Sequence, residues 1–485
     1  MALDGLRDWI SALEKEEELV RVTAEVDPYL EIAEIVDRVC KGPEAANKAL
    51  LFENVKGSSM PVFINGFGSR RRMGISLGAE DIEDHATRLA GLLDQAPPET
   101  LLEKLKALPK LKELSNFFPR KVSSAPCQEV VLTGDEVDLT QLPVMTTWPQ
   151  DAGPFITYPL CVTKDPESGR RNLGTYRLQV RGPRETFFHS HLHKDARRHL
   201  AKAAKSGERI PVAVAIGADP ATCFASVVPA PPDVDELLIA GFLRRKPVPL
   251  VPCKSVPLEV PATAEIVLEG WVDPANLATE GPFGDHTGFY SLADEYPVFE
   301  VETITHRKDP IYHSILVGAP PQEDHWITHS IERLLLPVMR KQFPEVVDYR
   351  LPFEGVAHNL MLVKIRKEYP GQARKVMHGL WGLGQAMFTK VIVVVDEDVD
   401  IHNDAEVVWK VLNHIDPQRD MEFALGPVET LDHASREACY GSHVGVDATR
   451  KMPEEGFHRE WPDEIVMSAE VKSLVEGRWK EYGIS

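Results

Sequence analysis

Four short stretches carry side chains whose types and spacing suit catalysis. The first is EGPFGD, residues 280–285. Glu280 and Asp285 stand five apart around Gly281, Pro282 and Gly284, residues that turn a chain sharply and let both acids face one pocket. Carboxylates held close push one pKa upward, which suits a general acid near neutral pH. An ordinary acidic turn has the same composition. The second is NLGTYR, residues 172–177, where the carboxamide of Asn172 and the fixed cation of Arg177 lie near the start of a strand. Arginine clamps a carboxylate through two parallel hydrogen bonds. A spacing of five on a regular strand puts the two on opposite faces. Either Gly174 bends the chain or the two serve different parts of a site; a solvent-facing arginine is the plain alternative.

The third stretch is FHSHLHKD, residues 188–195. On a strand, His189, His191 and His193 share one face, which reads as a three-histidine metal site of the hydrolytic zinc kind. A helix starting near Asp195 would spread them apart. The fourth is PDVDELL, residues 232–238. Asp233 and Glu236 have the form of a capping box. As a metal ligand, Glu236 would add a hard oxygen donor suited to manganese or magnesium beside one imidazole. GLWGLGQ, residues 379–385, fails the dinucleotide and P-loop patterns and reads as a tight turn. Trp271, Trp326 and Trp381 read as packing residues.

The elements around these stretches fall into three blocks. Leu6, Trp9, Ile10 and Leu13 recur at helical spacing, as do Ile32, Ile35, Val36 and Val39. Strands are expected over 19–26 and 49–55, and a helix over 99–108. Residues 1–120 thus read as an α/β domain. Short alternating strands follow, at 129–132, 176–180, 211–216, 265–272 and 298–306, separated by turn signals. Many short strands in one block suggest a barrel or sandwich. Eight prolines from Pro229 to Pro261 confine that stretch to loops and one short helix, 234–243. This central block covers 121–317. Over 318–485 helices alternate with strands again: helices at 373–380 and 404–412 flank the apolar strand 390–395, which suits a parallel sheet covered on both faces. The segment 468–482 reads as an amphipathic helix suited to docking on another subunit.

Composition narrows the classes. The 485 residues are 43% hydrophobic and 26% charged, a globular balance with room for two or three domains. The formal net charge of −20 repels nucleic acid and anionic membrane in general. No signal peptide and no membrane span are expected. Six cysteines lie far apart without a CxxC pair, as reduced thiols of a cytoplasmic protein would.

Taken together and in order, NLGTYR, HLHKD, PDVDELL, ATAEIVLEG and EGPFGDHTG resemble the UbiD family of decarboxylases. The likeness continues through APPQED (319–324) and KVIVVVDEDVD (390–400) and ends near DATRK (447–451). It implies a multidomain α+β and α/β fold whose central split β-barrel, of the flavin-reductase type, is flanked by N-terminal and C-terminal α/β domains. It implies reversible, non-oxidative decarboxylation of an aromatic, heteroaromatic or α,β-unsaturated acid with prenylated FMN. The cofactor would lie on Asn172, Leu173, Thr175, Tyr176, Arg177, Leu192 and His193. A divalent cation, manganese or magnesium, would take Asn172, His193 and Glu236. Potassium would take Glu236 with backbone oxygens near Ala225, Ser226 and Val228. Arg177, Glu280 and Asp285 would form the catalytic set. In that set Arg177 orients the carboxylate, Glu280 delivers the proton and Asp285 tunes Glu280. Some branches, such as the ferulic acid decarboxylases, have Glu where Asp285 stands. The likeness further implies a flavin prenyltransferase as cofactor supplier and a homodimer or homohexamer. Two competing expectations are a metal-dependent hydrolase on the three histidines and a non-catalytic flavin-binding protein.

Overall fold

The computed structural model describes residues 3–94, 114–231 and 234–484. The helix expected over 99–108 and the cap expected of Asp233 lie outside the described residues.

The helix Leu6–Lys15 buries Leu6, Trp9, Ile10 and Leu13, one apolar stripe of a 3.6-residue period. The helix Glu31–Lys41 buries Ile32, Ala33, Val36 and Cys40, so its inward face is turned slightly from the expected one. The strands Leu19–Val26 and Ala49–Val55 run parallel. With Val62–Ile64 and Tyr312–His313 they make a four-stranded sheet. Its last strand follows the strands of the central sheet in sequence, so the N-terminal layer is completed by a segment that returns from the central block.

The central sheet has nine strands. Its path runs Phe155–Ile156, Leu178–Gly182, Glu185–Phe187, Asp294–His306, Ile266–Glu280, Ile210–Ile216, Leu160–Lys164, Arg171–Thr175, with Val130–Thr133 also on Asp294–His306. Every pairing is antiparallel. Six pairings separate Leu178–Gly182 from Arg171–Thr175 along this path, roughly 29 Å if the sheet were flat. Yet only Tyr176 and Arg177 connect these two strands, and three Cα steps reach at most about 11 Å. The sheet therefore curls until its ends nearly meet, and Arg177 lies in the seam. Irregular pairing at Glu269/Gly270 and at Val272/Leu277 supplies part of the bend. The strand expected over 176–180 is corrected accordingly: Tyr176 and Arg177 form the break between two strands.

The expected short helix at 234–243 is Glu236–Arg244, with Asp235 as its cap, its side chain accepting from Leu237 N–H. The helix Glu323–Gln342 leads into the C-terminal sheet, ordered Val346–Arg350, Leu360–Ile365, Val391–Asp396, Tyr440–Asp447, Met421–Pro427. Ile392 and Val394 face the core under the helix Gln372–Trp381, while Val393 and Val395 face the one under Asp404–His414. That alternation explains the continuous apolar run: both faces are covered. The helix Ala469–Gly477 buries none of its residues, and Val471, Leu474, Trp479 and Tyr482 are exposed. Among the described residues no helix is long and apolar enough to cross a membrane, and all six cysteines are free thiols.

Candidate active site

Arg177 holds the two acids of EGPFGD together. The strand Ile266–Glu280 ends on Glu280, opposite Asp294 of its hairpin partner. Asp285 begins a turn in which its carbonyl accepts from Gly288 N–H at 2.9 Å and its N–H donates to Phe289 O at 3.1 Å. From the seam, Arg177 Nη1 donates to Asp285 Oδ2, and Nη2 donates to Glu280 Oε2 at 3.2 Å and Ser291 Oγ at 3.0 Å. All three charged side chains are buried. Neither glycine of the loop has a positive φ. Gly284 is required for close approach instead, because a Cβ there would enter the indole of Trp148. Likewise a Cβ at Gly174 would enter the ring of Tyr176, which folds back over its own strand.

The electrostatics depart from expectation in one respect. Burial raises the pKa of Glu280, but His189 and Arg177 outweigh it and hold the group below the usual carboxylate range. Burial also works against Asp285, and Arg177 and His286 hold it far below. The expected upward shift from two facing carboxylates is absent because a guanidinium stands between them, itself held charged by both against the pull of burial. His286 donates its backbone N–H to Asp285 Oδ1 at 2.7 Å and sets its Nδ1 3.1 Å from the same oxygen. Burial lowers the His286 pKa, and Asp285 more than restores it, for a net rise.

The three histidines do not form a metal site. The strand Glu185–Phe187 ends before them. His189 Nδ1 bonds Glu280 Oε2. His191 Nδ1 lies 2.7 Å from Glu429 of the C-terminal domain. His193 is exposed, its ring 5.1 Å from that of Phe388. Among the described residues no group of three or more His, Cys, Asp or Glu stands close enough to hold a metal. The contact of His189 with Glu280 went unseen in the sequence, since 91 residues separate the two and no local pattern marks them.

The residues expected to hold cofactor and cations lie beside this set. Asn172 is buried, and its Nδ2 donates to Tyr176 Oη at 3.2 Å. Glu236 accepts the N–H of Leu173 at 2.9 Å, so the strand Arg171–Thr175 links it to Asn172. Burial pushes Glu236 up to about 7. A buried carboxylate with one backbone donor suits a hard cation, which would ionise it. The carbonyls of Ala225 and Ser226 close the helix Pro220–Ala225, where the backbone is negatively polarised. Ser226 O accepts Thr175 N–H at 3.2 Å and Val228 O accepts Ala230 N–H at 2.8 Å. Leu192 is exposed.

A cavity of about 320 Å³ opens between the central and C-terminal parts. Thr175, Tyr176, Arg177, His189, Asp285 and His286 line one side, and Ile327, Ile331, Ala357 and Leu431 the other. Glu280 does not border it, nor do Asn172, Leu173, Leu192 or His193. Lys194 also reaches it, and burial lowers its pKa. A larger depression, about 640 Å³, lies under the C-terminal tail beside Trp409 and Arg419, away from Arg177.

Comparison with known proteins agrees along the whole chain. Residues 10–92, 120–320 and 325–448 match the N-terminal, Rift-related and C-terminal domains of 3-octaprenyl-4-hydroxybenzoate carboxy-lyase. An uncharacterised protein of Archaeoglobus fulgidus is 46% identical over 99% of each chain. The UbiD-class enzyme HmfF of Pelotomaculum thermopropionicum, solved with FMN, is 32% identical with a TM-score of 0.78, covering 94% of this chain and 97% of its own. An evolved dimeric form of HmfF was solved with prFMN. The closed form of Sedimentibacter hydroxybenzoicus vanillic acid decarboxylase is 27% identical, covers 100% of each chain and gives a TM-score of 0.86, against 0.79 for its open form. The chain belongs to the UbiD family of carboxy-lyases.

Proposed function

We propose that the protein reversibly decarboxylates an aromatic, heteroaromatic or α,β-unsaturated carboxylic acid with prenylated FMN. The observation that carries this is the buried guanidinium of Arg177, shared between two carboxylates and opening onto the interdomain cavity. Prenylated FMN, when bound, supplies the electron sink that takes up the charge left as CO2 departs. Thr175, Tyr176 and Arg177 line the cavity where it would sit, and Asn172, Leu173, Leu192 and His193, which do not border that cavity, would complete its binding site. Manganese or magnesium would be held by Asn172, His193 and Glu236, and potassium by Glu236 with the carbonyls of Ala225, Ser226 and Val228.

The residues themselves account for binding and for the proton. Arg177 binds the substrate carboxylate. A third carboxylate at one guanidinium leaves excess negative charge that burial penalises, so one carboxyl takes up a proton. Asp285 is the one that takes it, because both acids pair with Arg177 but Asp285 alone of the two borders the cavity where the substrate carboxylate arrives. Asp285 then delivers that proton to the carbon that CO2 has left. His286, on the other Asp285 oxygen, returns a proton to it. Glu280 is set behind Arg177 and anchors it. This exchanges the roles that the sequence suggested for Glu280 and Asp285, and the wall of the cavity is the reason.

We divide the chain into three units, 1–120, 121–317 and 318–485, a reading supported by the family models matched at 10–92, 120–320 and 325–448. The seam at Tyr176 and Arg177 favours a flavin-reductase-like split barrel for the middle unit. The unburied helix Ala469–Gly477 is in keeping with a homodimer or homohexamer. A flavin prenyltransferase would supply the cofactor. The test is to produce the chain together with such an enzyme and offer the loaded protein a panel of hydroxybenzoic, furoic and acrylic acids. Loss of CO2 from at least one is expected. Loaded, folded protein that turns over none of them, and exchanges no labelled CO2 into the products, would overturn the reading in favour of a flavin-binding protein.

A further inference from the structure

Glu280 is almost wholly buried, and its Oε2 is gripped from two sides, by Arg177 Nη2 and by His189 Nδ1. We propose that His189 is a positioning residue for decarboxylation: it donates from Nδ1 to Glu280 and so fixes the carboxylate that fixes Arg177. The inference rests on the decarboxylase reading and adds a residue to it.

The His189 ring is held firmly enough for this task. It stacks on Tyr296 with centroids 4.0 Å apart and planes 28° from parallel. Its other flank meets the edge of His191 at 4.8 Å. Its backbone N–H donates to Arg177 O at 3.4 Å, so histidine and arginine are tied through main chain as well as through Glu280. The tautomer follows from the acceptor. An ionised carboxylate only accepts hydrogen bonds, so the proton of a neutral imidazole must sit on Nδ1. Burial, first of all, keeps this histidine neutral, pushing it down to about 4. The charged or titratable groups facing Glu280 are Arg177, His189 and, across the same strand pair, Tyr296. Those facing His189 are Arg177, Glu280, His191 and the stacked Tyr296.

Removing the donor has a definite consequence. Glu280 Oε1 already lacks a partner. Without His189, Oε2 would depend on Arg177 alone. A poorly satisfied buried carboxylate competes harder for the one cation in reach. Arg177 is then drawn toward Glu280, away from Asp285 and the cavity.

The test compares holoenzymes of the parent, His189→Phe and His189→Asn. Phenylalanine keeps the stack on Tyr296 but donates nothing; asparagine keeps a donor near the place of Nδ1. The phenylalanine variant is expected to lose about tenfold or more in kcat, with KM and cofactor absorbance unchanged. The acid limb of its kcat profile moves to higher pH, because Glu280 loses a donor that favours its charge. Asparagine is expected to restore most of the rate and the profile. A phenylalanine variant with parental kcat overturns the proposal, as does an asparagine variant that falls equally far. Nitrogen-15 spectra of histidine-labelled parent, with His189 assigned by its absence from the asparagine variant, decide independently of turnover. A neutral ring protonated at Nδ1 is expected, and one protonated at Nε2 overturns the proposal. An inactive parent would count against the decarboxylase reading and leave this spectrum to judge the histidine.

Discussion

Each acid at Arg177 has its own partner, and that partner separates their roles. Asp285 has Arg177 and His286; Glu280 has Arg177 and His189. Asp285→Asn keeps the shape but cannot carry the proton, so kcat is expected to fall roughly 10²–10⁴-fold with the cofactor still bound. Glu280→Gln is expected to cost less, as befits a group one step from the substrate. Single-turnover rates measure both, and a larger loss in Glu280→Gln would return the donor role to that residue. The sequence made the members of this set legible, because EGPFGD and NLGTYR name them. It did not make their order of depth legible. A spacing of five tells which residues share a turn, and only the guanidinium inserted between them tells which one meets the cavity. His189 was legible only as one of three alternating histidines; its contact with Glu280 is set by strands distant in sequence.

The hairpin Ile266–Glu280 with Asp294–His306 and the loop between its strands are the elements that carry the acids. Their geometry depends on contacts as close as that between Gly284 and Trp148, whose indole N–H donates to Val317 O at 2.9 Å. Gly284→Ala therefore overpacks a fixed ring and is expected to destabilise by about 1–3 kcal/mol while shifting Asp285 away from Arg177. A urea midpoint lowered together with kcat/KM checks this; an unchanged midpoint would mean that Trp148 yields. Helices with strong apolar periodicity were legible to within two residues: the one expected over 373–380 runs Gln372–Trp381, and the one expected over 404–412 runs Asp404–His414. The strand expected over 176–180 was not, because alternation continues across a break that only the closing of the sheet imposes.

At the scale of the whole molecule, buried histidines set the response to acid. Burial first, in each case, pushes His85, His189, His199 and His358 down to about 4, and His313 to about 3. Their unfolded values lie near 6.5. A histidine lowered on folding stabilises fully above its unfolded pKa, and that contribution shrinks as pH falls toward the folded one. Glu236 and Glu323 oppose the trend, since burial raises both to about 7 and their contribution grows as pH falls below 7. The lowered histidines outnumber the raised carboxyls, so on balance unfolding takes up protons and stability falls with acid between pH 6.5 and 4.5. A urea midpoint that falls as pH drops from 6.5 to 4.5 is therefore expected. Urea titrations at stepped pH would show it, and a midpoint flat across that window would refute it. The seam of the curled sheet has a different meaning for the molecule's history. Tyr176 and Arg177 are the clasp that closes the sheet, and in the mechanism proposed above Arg177 also binds the substrate, so fold and catalyst would stand under one lock. Selection for a new substrate has little freedom at that clasp. Its freedom lies on the opposite wall, at Ile327, Ile331, Ala357 and Leu431, where a change of shape leaves the clasp shut.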